Sequence, residues 1–132
     1  MSELTYSCIE SFCGAGGLSL GLERAGFDPL IAFDDDEESI ETYNQYRHRE
    51  EEIAVDADSR KLEPEKLMRM AGLDRPGELD LFSGGPPCQG FSKQKRGAHL
   101  GDERNHRVID FSILVDGLSP RFFILENVAT FG

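Results

Sequence analysis

TYSCIESFCGAGGLSLGLERAGFDPLIAFD, residues 5–34, decides how the chain folds. A run of strand-forming residues (5–12) meets the cluster Gly14-Ala15-Gly16-Gly17. A helical pattern through Leu18, Leu22 and Ala25 follows, with Gly26 placed to end it. A second apolar run, PLIAF (29–33), stops at Asp34. Strand, glycine turn, helix and strand in that order form one βα unit of a parallel sheet.

The rhythm continues outward. A helix after Asp34 carries Ile40 and Tyr43 on one face, and IAV (53–55) is a short third strand followed by Asp56 and Asp58. Pro64 opens a helix that uses Leu67, Met68 and Ala71, and LDLF (79–82) is the fourth strand. A helix is expected from about Arg104 to Gly117, with Val108, Phe111, Ile113 and Leu114 on its apolar side. FFIL (122–125) closes the series as a fifth strand. This predicts an α/β fold, a doubly wound and mostly parallel Rossmann-like sheet. Such sheets bind ligands beyond the carboxyl ends of their strands, where the strand order reverses. Gly14 to Gly17, Asp34, Asp58, Cys88 and Glu126 all fall at predicted strand ends.

Composition narrows the classes. A chain of 132 residues is expected to form one domain, and 39% hydrophobic with 30% charged residues is ordinary for a globular protein. No apolar run is long enough to span a bilayer, and MSELTYSCIESF lacks the basic-then-apolar pattern of a signal peptide. A cytoplasmic location with reduced thiols is the expectation. Three cysteines without a CxxC spacing or a His/Cys cluster argue against both disulfides and a metal. The formal charge of −11 argues against a phosphate-backbone binder, yet KQKRGAHLGDERNHR (93–107) is locally basic.

Two groups at the strand ends carry chemistry. The glycine cluster lets backbone approach a ligand, and Asp34, 20 residues after Gly14, stands where a carboxylate accepts hydrogen bonds from ribose hydroxyls. Either feature alone is an ordinary turn or a solvated acid; together they point to a nucleoside-type cofactor. Asp58, with Asp56 as its rival, is placed to accept from an adenine amino group. In GGPPCQGFS (84–92), Pro86 and Pro87 restrict the backbone before Cys88, while Gly84, Gly85 and Gly90 allow a sharp bend. A thiol held that way reads as a nucleophile, with Glu126 on the next strand as its matching acid. Cys8 and Cys13, in or beside the first strand, read as small buried apolar groups.

FCGAGGLSLGLERAGF, GGPPCQGFS and ENV, in this order and spacing, resemble the DNA cytosine-5 methyltransferases over nearly the whole chain. The resemblance implies S-adenosylmethionine as cofactor and DNA as substrate, with the target cytosine flipped from the duplex. It places Phe12, Gly14, Ala15, Gly16, Gly17, Asp34, Asp58 and Pro87 around the cofactor, with Phe12 against the adenine. Cys88 becomes the nucleophile, Glu126 its acidic partner and Asn127 a residue that holds the site together. Gln89, Ser92, Lys93, Lys95, Arg96 and Arg104 fall to the substrate loop, and Arg107 stands where the family has Leu. The family also continues past Glu126 with a basic segment, a target-recognition domain and a terminal helix. Residues 1–132 are thus expected to be the N-terminal part of a catalytic domain, completed by further chain or a second polypeptide. A fragment, half of a split enzyme, and a small protein with another role all fit. A tRNA cytosine methyltransferase and a non-catalytic binding module remain alternatives, and FFIL is expected to be an exposed apolar edge.

Overall fold

The computed structural model describes residues 5–47, 52–85 and 106–126. They run β1 (Tyr6–Ser11), α1 (Gly17–Arg24), β2 (Phe27–Asp34), α2 (Glu37–Arg47), β3 (Ala54–Asp56), α3 (Pro64–Ala71), β4 (Leu81–Gly84), α4 (His106–Leu118) and β5 (Phe122–Leu125). All strand pairs are parallel and the order is β3-β2-β1-β4-β5. The order reverses between β1 and β4, so a crevice opens at the carboxyl ends of those two strands.

Side-chain alternation along β1 sets the two faces. Ile9 enters the larger core with Ile31, Phe33, Leu67, Phe82, Phe111 and Leu114, under α3 and α4. Cys8 packs with Leu22 and Leu81, while Cys13, Ala32, Tyr43 and Ala54 form a further cluster under α2. Both cysteines are buried, as their sequence setting predicted.

Several boundaries differ from the sequence reading for identifiable reasons. β2 begins at Phe27, two residues before PLIAF, because the β1–β2 register shifts at Pro29: Cys8 pairs with Pro29 and Ile9 with Ile31. The bulge accommodates a proline that cannot donate to the ladder. β4 lies at Leu81–Gly84 rather than 79–82. Its last residues fit only because they are small: a Cβ on Gly84 would stand 2.1 Å from Ser11 Oγ and 2.7 Å from Ser11 O. Gly84 is therefore a packing requirement of the β1–β4 seam, not a bend. On α4, Phe111, Leu114 and Leu118 are buried but Ile113 is 55% exposed, so Ile113 does not belong to the inner face. β5 is the sheet edge among the described residues, and all four of its side chains are exposed.

Candidate active site

The turn after β1 forms the floor of the crevice. Phe12 has φ 51, a left-handed conformation that a non-glycine residue rarely adopts, and it turns the chain out of the strand. The glycines that follow serve different ends. A Cβ added to Gly14 or Gly17 would meet nothing within 4 Å, which leaves open space above the turn. A Cβ on Gly16, at φ +100, would lie 2.7 Å from both Tyr43 Cδ2 and Arg47 Nη1. Gly16 thus lets α2 close against the turn, and its carbonyl accepts from Arg47 Nη2 at 2.9 Å.

Asp34 fixes the turn from the side. Its Oδ2 accepts from the Gly14 N–H at 2.8 Å and its Oδ1 from the Asp36 N–H at 3.1 Å. Burial raises its pKa, and those N–H groups counter the rise. Asp58 is held by its neighbour: Arg60 donates from Nη2 at 2.7 Å, from Nε at 3.0 Å and from its backbone N–H at 2.9 Å. The Arg60 hydrogen bond lowers the Asp58 pKa to about 2, so this carboxylate is ionised but already engaged.

Glu10, which sequence reasoning passed over, lies at the bottom. It is 2% exposed, on the β1 face that meets α1 and α2. Burial raises its pKa from 4.5 to about 8; a hydrogen bond with Ser19 and the charge of Arg47 oppose the rise, while Glu126 and Asp34 add to it. Its Oε1 is buried without a hydrogen-bond partner. A carboxylate inside a strand that otherwise reads as apolar was the available signal. Ser19 and Tyr43 share a buried hydroxyl–hydroxyl hydrogen bond beside it, and burial pushes the Tyr43 phenol to about 12. Burial likewise drives the Cys13 thiol far above its ordinary range, which disfavours its thiolate form.

Glu126 stands at the far wall. Its N–H donates to Gly84 O at 2.8 Å, and a Cβ on Gly85 would lie 3.4 Å from its Oε1. The carboxyl therefore sits where β4 leaves the sheet, three residues before Cys88. The charges of Glu126 and Asp34 thus both bear on Glu10 from the ends of neighbouring elements. Arg107, from the first turn of α4, enters the crevice from above, 3.5 Å from Asp35 and with its guanidinium carbon 6.0 Å from the Phe12 ring centre. Pro87, Cys88, Gln89, Ser92, Lys93, Lys95, Arg96, Arg104 and Asn127 lie outside the described residues. An acidic crevice with an open glycine turn suits a cationic, nucleoside-bearing ligand.

Comparison with known proteins gives this crevice its kin. The model of the C-5 cytosine-specific DNA methylase family matches residues 6–131. The chain belongs to that family. It is 39% identical over 123 residues to the type II methyltransferase M.HindV of Haemophilus influenzae, covering 92% of this chain and 37% of that protein. Against M.AgeI of Thalassovita gelatinovora identity is 37% over 122 residues, covering 91% and 27%. A crystal structure assigned as a DNA modification methyltransferase encoded within an E. coli prophage superposes with a TM-score of 0.75 at 39% identity, covering 94% of this chain and 32% of that one. The chain thus spans only 27–37% of the length of these family members. Among the described residues no group of three or more metal-ligating side chains occurs, and no helix is long and apolar enough to cross a membrane.

Proposed function

We propose that the chain is the N-terminal, cofactor-binding and nucleophile-bearing part of a methyltransferase acting on carbon 5 of cytosine in DNA. The observation that carries this reading is Glu126 beside Gly85, at the ends of neighbouring parallel strands and at the root of the Cys88 segment. The reaction needs an acid and a thiol at one pyrimidine ring, and Cys88 follows Gly85 by three residues in the sequence.

The described residues fit S-adenosylmethionine. Gly14 and Gly17 leave room for it, Asp34 retains lone pairs for ribose hydroxyls, and Glu10, whose Oε1 has no hydrogen-bond partner, offers a counter-charge to a cation. When bound, it supplies an electrophilic methyl group. Ionising Glu10 beside a cation regains charge pairing that burial alone denies it.

Carbon 6 of cytosine is a poor electrophile until a proton reaches N3, and Glu126 donates it. The Cys88 thiolate then adds to carbon 6, which makes carbon 5 nucleophilic toward the methyl group. Loss of the carbon-5 proton to water expels the thiolate, and return of the N3 proton to Glu126 restores the ring. Glu126 is exposed here, so the dry surroundings an acid needs must come from the flipped base and whatever closes over it. Flipping costs a few kcal/mol, and the basic segment holding Lys93, Lys95, Arg96 and Arg104 is suited to the phosphates. Target recognition and much of the grip on DNA belong to further chain or a second polypeptide.

The test is methyl transfer from tritiated S-adenosylmethionine to duplex DNA and, in parallel, to tRNA. The chain is assayed alone and co-expressed with the polypeptide encoded immediately downstream. Label in DNA is expected only with the second component, and Cys88→Ser abolishes both it and covalent trapping on 5-fluorocytosine DNA. Label in tRNA alone, or trapping that survives Cys88→Ser, refutes the reading.

A further inference from the structure

Arg47 closes α2, and its side chain is only 8% exposed. The guanidinium carbon lies 3.8 Å over the Tyr43 ring and Nη1 donates to the Tyr43 carbonyl at 3.4 Å, so the side chain is held against its own helix. Nε faces Glu23 Oε1 of α1 at 3.4 Å, an ion pair without a hydrogen bond. Nη2 donates to Gly16 O at 2.9 Å. That carbonyl also accepts the Leu20 N–H at 2.9 Å, the first rung of α1. One buried cation thus joins the end of α2 to both ends of α1 and to the glycine turn. The start of the turn is tied to β2 instead, with the Cys13 N–H donating to Phe33 O at 3.1 Å and the Gly14 N–H to Asp34 at 2.8 Å. Arg47 is the tie at its far end.

Burying an ion pair stabilises little, because desolvation offsets the attraction, and an apolar side chain of similar volume often serves as well. What an apolar side chain lacks is a donor aimed at the Gly16 carbonyl. Gly16 stands at φ +100, between Gly14 and Gly17, where a Cβ would meet nothing within 4 Å. With open space above it, the turn takes its shape from its ties. We propose that Arg47 is a positioning residue: it touches no ligand, and it clamps the α1 end of the glycine turn so that the floor of the crevice is formed before the cofactor arrives. A turn free to open has to be ordered again at each binding event, and that cost subtracts from affinity. The inference rests on the reading that this turn binds S-adenosylmethionine.

Calorimetric titration with S-adenosylhomocysteine, whose sulfur carries no charge, separates the clamp from any effect of Arg47 on the charge of the crevice. Arg47→Met keeps the bulk of the stem and removes the donors. It is expected to bind roughly 10-fold more weakly, the scale of one charge-assisted hydrogen bond. Arg47→Lys recovers part of that. Glu23→Gln, which breaks the ion pair and leaves the bond to Gly16, binds like the unsubstituted chain. Amide exchange of ligand-free Arg47→Met is faster at Gly16 and Leu20 while β1 and β2 keep their protection, and saturating ligand restores both amides. Unchanged affinity in Arg47→Met overturns the clamp and leaves the cofactor reading intact. So does a loss matched by Glu23→Gln, or one accompanied by faster exchange throughout β1 and β2, since either makes Arg47 a packing residue. Failure of the unsubstituted chain to bind the ligand defeats the cofactor reading and the clamp together.

Discussion

Leu81 and Phe122 are register partners across β4 and β5, yet Leu81 is 3% exposed and Phe122 71%. The contrast extends through the sheet. On the β1–β2–β3 side, helices cover both faces and the strand-end acids have assigned partners: Gly14 and Asp36 for Asp34, Arg60 for Asp58. On the β5 side, Phe122, Phe123, Ile124 and Leu125 are all exposed. The β1–β2–β3 side is therefore covered on both faces, whereas Glu126 follows a strand whose apolar side chains are exposed. Half of the proposed chemistry thus rests on the less supported strand.

Gly84 joins the two sides, and replacing it is the most damaging way to test their coupling. Gly84→Ala places a methyl group 2.7 Å from a backbone oxygen of β1 and 3.1 Å from Phe111 Cε2, with little freedom to yield. Overpacking of a buried strand seam predicts a loss of about 3 kcal/mol in urea unfolding. A loss confined to β5, with amide protection of β1 and β2 retained, would show that the sides unfold separately.

The β1–β2–β3 side carries its own cost in Glu10. Its folded pKa, about 8, lies above its ordinary 4.5, so between those values the folded state binds more protons than the unfolded one. Glu10 is thus best tolerated below about pH 4.5, and stability drains away as pH rises toward 8. Glu10→Gln stays neutral throughout. It is expected to match the unsubstituted chain near pH 4 and to exceed it by roughly 1–3 kcal/mol at pH 8. Chemical denaturation at several pH values reads the difference. A constant gap across the range would mean that Glu10 does not titrate on folding. Under the proposed function the same variant binds S-adenosylmethionine more weakly, so stability gained and affinity lost should appear together.

How much of this was legible in the sequence follows the range of the interactions involved. Strand–turn–helix punctuation is local, so the βα units, Pro64 as a helix start and β5 at 122–125 could be read directly. Register is not local: nothing near Pro29 announces that β1 skips a residue opposite it, nor does LDLF disclose that the ladder moves on to Gly84. The site divides in the same way. The position of Asp34 beside the glycine turn was legible because its offset from Gly14 is a feature of one unit. The burial of Glu10 and the reach of Arg107 to Phe12 depend on elements distant in sequence, and the clasp of Arg60 on Asp58, though only two residues apart, depends on side-chain direction.

The smallest expected effect sharpens the opening contrast most directly. Phe122→Ser removes a large ring from β5, but a residue already 71% exposed has little burial to lose. The change in unfolding free energy should stay within about 0.5 kcal/mol. Colloidal behaviour should respond more, because an exposed apolar edge strand is a template for pairing between chains. Light scattering of the concentrated variant is therefore expected to fall below that of the unsubstituted chain while its denaturation midpoint holds. A destabilisation of 2 kcal/mol or more, on the scale of about that much for a buried aliphatic truncation, would mean that Phe122 is packed in solution. The β5 side would then be finished by contacts of its own, and the asymmetry between the two sides of the sheet would disappear.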